Sequence, residues 1–120
     1  MRLLPLLLLA AACATGSARE ADLSSELAGR TAGPPKDCAP VSSGANLVAR
    51  NAQTLVYRRG DTLWVNRLAA ACPGLHPTST LIVELHGSQY CRGDPFRTVD
   101  PGRDIPGPTC VLGSFTPYRR

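Results

Sequence analysis

The hydrophobic residues of this chain fall into one long N-terminal block and a series of short runs further on. The block covers Leu3–Ala12 and is interrupted only by Pro5. The later runs are bounded by segments rich in Gly, Pro and polar residues, a texture typical of short strands. They are Ala45–Arg50, Gln53–Arg58, Thr62–Asn66, Ser79–His86, Phe96–Val99 and Val111–Phe115. The pattern predicts a mainly β fold: a small antiparallel sheet forming a partial barrel or sandwich, with a disulfide-stapled Pro/Gly-rich loop region.

A tight hairpin is predicted between the second and third runs. They are joined by Arg59-Gly60-Asp61, in which Gly60 can adopt a positive φ. A two-residue turn at Gly60-Asp61 would place Tyr57 opposite Trp64. A turn at Arg59-Gly60 would instead place Leu55 opposite Trp64, and the pattern leaves both registers open.

The N-terminal block predicts an export signal, with residues 1–12 as the signal peptide. Arg2 supplies a positive charge ahead of the apolar stretch, which is too short for a transmembrane helix of about 20 residues. Leu9 to Cys13 is similar to a bacterial lipobox, although Ala10 stands where Leu is usual. Lipidation of Cys13 is therefore expected, and cleavage after Ala12, Ala14 or Ala18 without lipidation is the alternative. The predicted location is the periplasm, with a membrane anchor.

Residues 13–36 are expected to form a flexible tether. The segment from 14 to 36 lacks aromatic and β-branched aliphatic residues. Ser17 and Glu20 have capping-box spacing, Leu23 and Leu27 are four residues apart, and Gly29 offers a stop. One or two helical turns are therefore possible, but two leucines alone give little to anchor them.

Residues 37–120 are predicted to form one small domain whose core needs covalent support. Five cysteines divide into Cys13 and four others, and four cysteines in an exported domain indicate two disulfides among Cys38, Cys72, Cys91 and Cys110. Three pairings are possible. We expect Cys91–Cys110, because the loop between them has little else to hold it, and therefore Cys38–Cys72. The expected core is Leu47, Leu55, Tyr57, Leu63, Trp64, Val65, Leu68, Leu75, Leu81, Ile82, Val83, Leu85, Phe96, Val99, Val111, Leu112 and Phe115.

Charge argues against a nucleic-acid partner. The chain has 13 Lys and Arg against 9 Asp and Glu, a formal net charge of +4, and Lys36 is its single lysine. The basic residues are scattered rather than grouped with aromatic residues along one face, as a nucleic-acid site requires. The expected partners are a membrane, through the lipid anchor, and an envelope protein or ligand that the sequence does not identify.

Two groups of residues have the chemistry of a site. Cys72-x3-His76 and His86-x4-Cys91 contain zinc-ligand types, but the spacing is unlike that of zinc fingers and exported cysteines prefer to pair. Glu84 and His86 would share one face of a strand and could form an acid–base pair. No metal, cofactor or catalytic residue is expected.

Arg-Gly-Asp occurs at Arg59–Asp61 and again at Arg92–Asp94. Integrins recognise this tripeptide on exposed turns. Gly and Asp are also the residues that a turn requires sterically, so both copies are interpreted as structural turns.

Several blocks together resemble a family of short proteobacterial exported proteins of unknown function. These blocks are Leu63-Trp64-Val65-Asn66-Arg67-Leu68, Cys72-Pro73-Gly74-Leu75, Cys91-Arg92-Gly93-Asp94 and Cys110-Val111-Leu112-Gly113-Ser114-Phe115. The resemblance covers about residues 37–118 and implies export, a four-cysteine scaffold, and turn or close-packing roles for Pro73-Gly74 and Gly113. It implies no activity.

The function predicted from these observations is an uncharacterised envelope protein that acts as a non-enzymatic binding or structural module. The alternative is a small periplasmic hydrolase or thiol-dependent enzyme that uses Glu84 and His86 or an unpaired cysteine.

Overall fold

The computed structural model describes residues 18–41 and 46–120 and shows a mainly β protein with small antiparallel sheets, as predicted. Residues 1–12, predicted as a signal peptide, and Cys13, predicted as the lipidation site, lie outside the described residues. One helix, α1, covers Ala18–Leu27. The ten strands are β1 (Thr31–Ala32), β2 (Cys38–Pro40), β3 (Val48–Asn51), β4 (Thr54–Arg59), β5 (Thr62–Arg67), β6 (Thr80–Val83), β7 (Gln89–Cys91), β8 (Pro95–Val99), β9 (Cys110–Val111) and β10 (Ser114–Arg119).

A five-stranded antiparallel sheet, in the order β1-β10-β5-β4-β3, forms the centre of the fold. Its β4–β5 hairpin turns at Gly60-Asp61, and Gly60 has a φ of 60° whereas no non-glycine residue in the described ranges has a positive φ. That pattern is the one of a type II′ turn, which suits the twist of a two-residue hairpin. The register places Tyr57 opposite Trp64, which decides between the two predicted alternatives.

The main core lies between one face of this central sheet and two smaller sheets, β2-β7 and β6-β8-β9. Four aromatic residues cluster there, with ring centroids between 5.7 and 6.5 Å apart: Tyr57, Trp64, Tyr90 and Phe115. Leu47, Leu55, Leu68, Leu75, Phe96 and Leu112 complete the predicted part of this core.

The opposite face of the central sheet is also buried, and α1 covers it. Leu23 of α1 is 1% exposed and packs with Val56, Leu63 and Val65. The two strands β4 and β5 therefore bury side chains on both sides, which explains why their apolar runs do not alternate with polar residues.

Residues 18–36, predicted as part of a flexible tether, instead contribute a helix and a strand that pack on the central sheet. Helix α1 packs against the sheet, Glu26 binds Arg50 of β3 through two hydrogen bonds, and β1 pairs with β10. Two leucines suffice because β4 and β5 present a second apolar face to receive them. Gly29, with a φ of 74°, follows the helix end as predicted.

The predicted disulfide pairing is wrong, although the four cysteines do form two disulfides. The observed pairs are Cys38–Cys91 and Cys72–Cys110. Cys38 and Cys91 face each other across β2 and β7, two three-residue strands that the sequence pattern did not reveal. The loop after Cys91 has another support, because its β8 pairs with both β6 and β9.

The run Ser79–His86, predicted as the strongest strand, is shorter and less buried than expected. Strand β6 ends at Val83, Ile82 is 54% exposed, and Leu85 lies beyond the strand at 45% exposure. Val111 is also exposed rather than in the core. Within the described ranges, no helix combines the length and the apolar character that crossing a bilayer requires.

Candidate functional site

A buried pair of hydrogen bonds joins Asn66 to Gly113. Asn66 lies on β5, is 0% exposed and uses both ends of its amide. Its Nδ2 donates to the Gly113 carbonyl at 2.7 Å, and the Gly113 N–H donates to its Oδ1 at 2.8 Å. The Asn66 amide thus satisfies both the N–H and the C=O of Gly113, which lies between β9 and β10.

Gly113 has no room for a side chain. A Cβ at this position would collide with the carbonyl of Arg67, the neighbour of Asn66 on β5. The backbone of residue 113 therefore lies directly against β5, which is the approach that the Asn66 amide needs for its two hydrogen bonds. This agrees with the close-packing role that the resemblance implies for Gly113.

The blocks that carry the resemblance meet in this region. The Cys72–Cys110 disulfide joins the segment after β5 to β9, and Cys72 is 1% exposed. Gly74 has a φ of 81° and lies in the turn that the Leu75 N–H closes onto the Cys72 carbonyl. Leu75 and Leu112 are both in the main core. These blocks therefore build the joint between the central sheet and β6-β8-β9, and their contacts are structural.

A second joint is formed by the Cys38–Cys91 disulfide and the turn that follows it. Asp94 Oδ2 accepts a hydrogen bond from the Cys91 N–H at 2.8 Å, and the Asp94 N–H donates to the Cys91 carbonyl at 3.0 Å. Gly93, with a φ of 87°, allows this turn. The second Arg-Gly-Asp copy therefore has a structural role in which its Asp braces the disulfide-bearing strand.

The first Arg-Gly-Asp copy forms the tip of the β4–β5 hairpin. Arg59, Gly60 and Asp61 are all exposed, and Gly60 supplies the positive φ of the turn. Its steric role matches the prediction of a structural turn.

The predicted acid–base pair does not share a strand face. Strand β6 ends at Val83, before Glu84 and His86. His86 is directed toward Asp94, with 3.7 Å between its Nδ1 and Asp94 Oδ1, and its side chain is 74% exposed. Glu84 instead lines a surface cleft beside the start of β8.

The four candidate zinc ligands are not available as a set. Cys72 and Cys91 belong to different disulfides, so neither is a thiolate that could bind a metal. Among the residues that the structure describes, no group of three His, Cys, Asp or Glu side chains is placed to hold a metal ion.

The surface cleft beside Glu84 has a volume of about 310 Å³. It lies on the outer side of β6-β8-β9 and is lined by Ile82, Glu84, Pro95, Phe96, Arg97 and Thr109. Ile82 and Arg97 are cross-strand neighbours, and the Arg97 Nε donates to Thr109 Oγ1 at 3.0 Å. An exposed apolar residue between a carboxylate and a guanidinium can contact a ligand that is both apolar and polar.

Tyr57 lies in the core, as predicted, and also forms a hydrogen bond that the sequence did not predict. Its hydroxyl donates to the Pro40 carbonyl at 2.6 Å and so ties the central sheet to β2. Burial raises the pKa of this hydroxyl well above its usual range, and burial also raises the pKa of Tyr90. Ser79 has a similar role, since its Oγ donates to Asp100 Oδ1 at 2.9 Å.

Comparison of the chain with protein-family models, with curated proteins and with solved structures gives no significant match.

Proposed function

We propose that the protein is a non-enzymatic binding or structural module of the bacterial envelope, exported by residues 1–12 and anchored through lipidated Cys13. The observation that carries this proposal is the use of the four described cysteines. All of them form disulfides that join separate elements of a small β fold. Such stapling is consistent with an oxidising, exported location and is typical of small exported scaffolds.

The arrangement of the polar residues supports a scaffold role. Asn66, Tyr57 and Ser79 direct their side chains at backbone or side-chain partners within the fold. The binding surface that we propose is the cleft beside Ile82, Glu84 and Arg97, because these side chains are exposed and differ in chemistry.

A covalent pull-down tests this surface. The protein, tagged at its C-terminus, is cross-linked in intact cells and recovered from solubilised envelopes. We expect one or more envelope components that are recovered with the unaltered protein and lost with Ile82→Asp. The matched control is Ile105→Asp, which makes the same substitution at an exposed isoleucine that does not line the cleft. Equal recovery with all three proteins would contradict the cleft as the binding surface.

The enzymatic alternative requires different chemistry and can be separated from the module. A thiol-dependent enzyme needs a free thiol, whereas each cysteine from Cys38 onward is in a disulfide. A hydrolase would need His86, which contacts Asp94 in preference to Glu84. Hydrolysis of ester, amide or glycoside probes that is lost in both Glu84→Gln and His86→Gln would favour the enzyme. Hydrolysis unaffected by either change would exclude Glu84 and His86 as its catalytic groups.

A further inference from the structure

One end of the central sheet carries a row of basic and hydroxyl side chains. Thr62 of β5 lies opposite Arg59 on one side and Arg119 on the other, and Arg119 lies opposite Thr31 of β1. Residues that are directly paired across neighbouring strands project to the same face. Arg59, Thr62 and Arg119 therefore lie side by side, beyond the Tyr57–Trp64 pair that ends the aromatic core.

The positive charge at this end is not neutralised. Arg58, Arg59 and Arg119 are exposed, and none of them forms an ion pair in the part of the chain that the structure describes. Arg30 lies at the same end, where its Nη1 donates to the backbone carbonyls of Asp61 and Tyr118 at 2.7 and 3.3 Å. The carboxylate of Asp61 is the acidic group on the hairpin tip. We call Arg30, Arg58, Arg59 and Arg119 the basic end.

Helix α1 shortens the distance between the basic end and the lipidation site. Only five peptide steps separate Cys13 from Ala18, and they can span at most about 18 Å. Helix α1 itself has 10 residues and a length of about 15 Å, and it finishes three residues before Arg30. A lipid on Cys13 can therefore lie level with the basic end, whereas a free tether of about 23 residues would have allowed any orientation of the domain.

We propose that the basic end binds anionic phospholipid headgroups of the membrane in which Cys13 is anchored. This inference rests on the proposed envelope location. Guanidinium groups bind phosphate oxygens in a bidentate manner. Arg59 and Arg119 lie on the two strands that flank β5, about 10 Å apart, so each can bind a separate headgroup of the same surface. The attraction acts within about one Debye length of the surface, so it operates only on a domain held close to the bilayer and weakens as salt is added.

Vesicle co-sedimentation tests the proposal without the lipid anchor. The protein used is the chain from residue 13 with Cys13→Ser, which retains every described residue, and its mass must show both disulfides. Vesicles are phosphatidylcholine alone or phosphatidylcholine with about one third phosphatidylglycerol, each at about 20 mM and about 300 mM NaCl. We expect binding to the anionic vesicles at low salt, at least about fivefold weaker at high salt, and no binding to neutral vesicles.

The double variant Arg59→Gln/Arg119→Gln should weaken the binding at least about fivefold. The control, Arg67→Gln/Arg103→Gln, removes the same charge from two exposed arginines, at the opposite end of β5 and in the loop after β8, and should bind nearly as well as the parent. Equal losses in the two double variants would show attraction by net charge alone and overturn the proposal. Competition by millimolar inorganic phosphate would indicate a small-anion site and would likewise overturn it.

Failure of this experiment leaves the proposed function intact, because Cys13 lipidation and the binding cleft are tested separately. An unmodified N-terminus other than Cys13 would instead remove the premise that the domain is held near the bilayer.

Discussion

Asn66 and Gly113 exchange two hydrogen bonds, of 2.7 and 2.8 Å, across the junction of β5 with the segment that leads into β10. Asn66 is fully buried, and a Cβ on Gly113 would collide with the Arg67 carbonyl. The two residues are 47 positions apart in sequence, and their contact holds together the first and last blocks that carry the resemblance.

Asn66→Ala should destabilise the protein by about 2–4 kcal/mol, because it leaves the buried N–H and C=O of Gly113 without partners. Urea unfolding followed by the fluorescence of Trp64, the single tryptophan, measures this change. Asn46→Ala, at an exposed position, is the matched control and should change the free energy of unfolding by less than about 0.5 kcal/mol. Similar values for both variants would contradict the role of the Asn66 amide.

Gly113→Ala should lower the free energy of unfolding, because the added Cβ forces residue 113 away from β5 and lengthens both hydrogen bonds to Asn66. We expect a loss above about 3 kcal/mol or failure to recover folded protein. Gly102→Ala provides the comparison, because Gly102 has a φ of 78° but a Cβ there would meet nothing within 4 Å. That variant should cost only about 1–2 kcal/mol, from the backbone conformation alone. Equal costs would contradict the close approach to Arg67 as the reason for glycine at 113, because Gly113, unlike Gly102, has no positive φ.

Leu23→Ala should destabilise the protein by about 2–4 kcal/mol if α1 is an integral layer of the fold, since Leu23 is buried against Val56, Leu63 and Val65. Leu85→Ala makes the same change at a 45% exposed residue and should have an effect below about 1 kcal/mol. Denaturant unfolding of the two variants compares them directly. A Leu23→Ala protein as stable as the parent would restore the free-tether interpretation of residues 18–36.

The stability of the protein should fall as the pH rises above about 10, in part through Tyr57. Its folded-state pKa is raised, chiefly by burial, so the folded state keeps the proton that the unfolded chain releases. The contribution is therefore present below the unfolded pKa and is lost as the pH increases beyond it. Unfolding experiments between about pH 8 and about 11.5 should show a shallower decline for Tyr57→Phe.

Tyr57→Phe should also cost about 1–2 kcal/mol at neutral pH, because the Pro40 carbonyl loses its donor. The control is Tyr118→Phe, at a half-buried position on the face of the central sheet that α1 covers. In this variant the part of the stability loss at alkaline pH that comes from Tyr57 should remain. A decline of the same steepness in the Tyr57→Phe variant and the parent would contradict this assignment.

The β4–β5 hairpin could be predicted from sequence because its signals are local. Gly60 and Asp61 supply the turn, and apolar runs flank them on both sides. The register required the structure, since either turn position leaves apolar residues paired. The layer formed by α1 had an available signal in the same strands: Leu55-Val56-Tyr57 and Leu63-Trp64-Val65 are apolar at every position, which indicates a sheet covered on both faces.

The disulfide pairing could not be predicted, because it depends on two strands without a periodic pattern. Strand β2 is Cys38-Ala39-Pro40, and its proline is typical of a loop or an edge strand. Its partner β7 is equally short and follows a bend. The pairing of β2 with β7 brings Cys38 opposite Cys91. The two cysteines are 53 positions apart in sequence, and strands of three residues carry too little pattern to predict that they pair. The separation of Glu84 from His86 has a similar origin, since it follows from the end of β6 at Val83.

Non-reducing peptide mapping of the protein isolated from cell envelopes tests whether it is an exported, lipid-anchored scaffold stapled by two structural disulfides. We expect a mature N-terminal peptide that begins at diacylglyceryl-modified Cys13, linked peptides for Cys38–Cys91 and Cys72–Cys110, and no free thiol. Reduced cysteines or a Cys91–Cys110 linkage would contradict the two structural disulfides, and an unmodified N-terminus would contradict the lipid anchor.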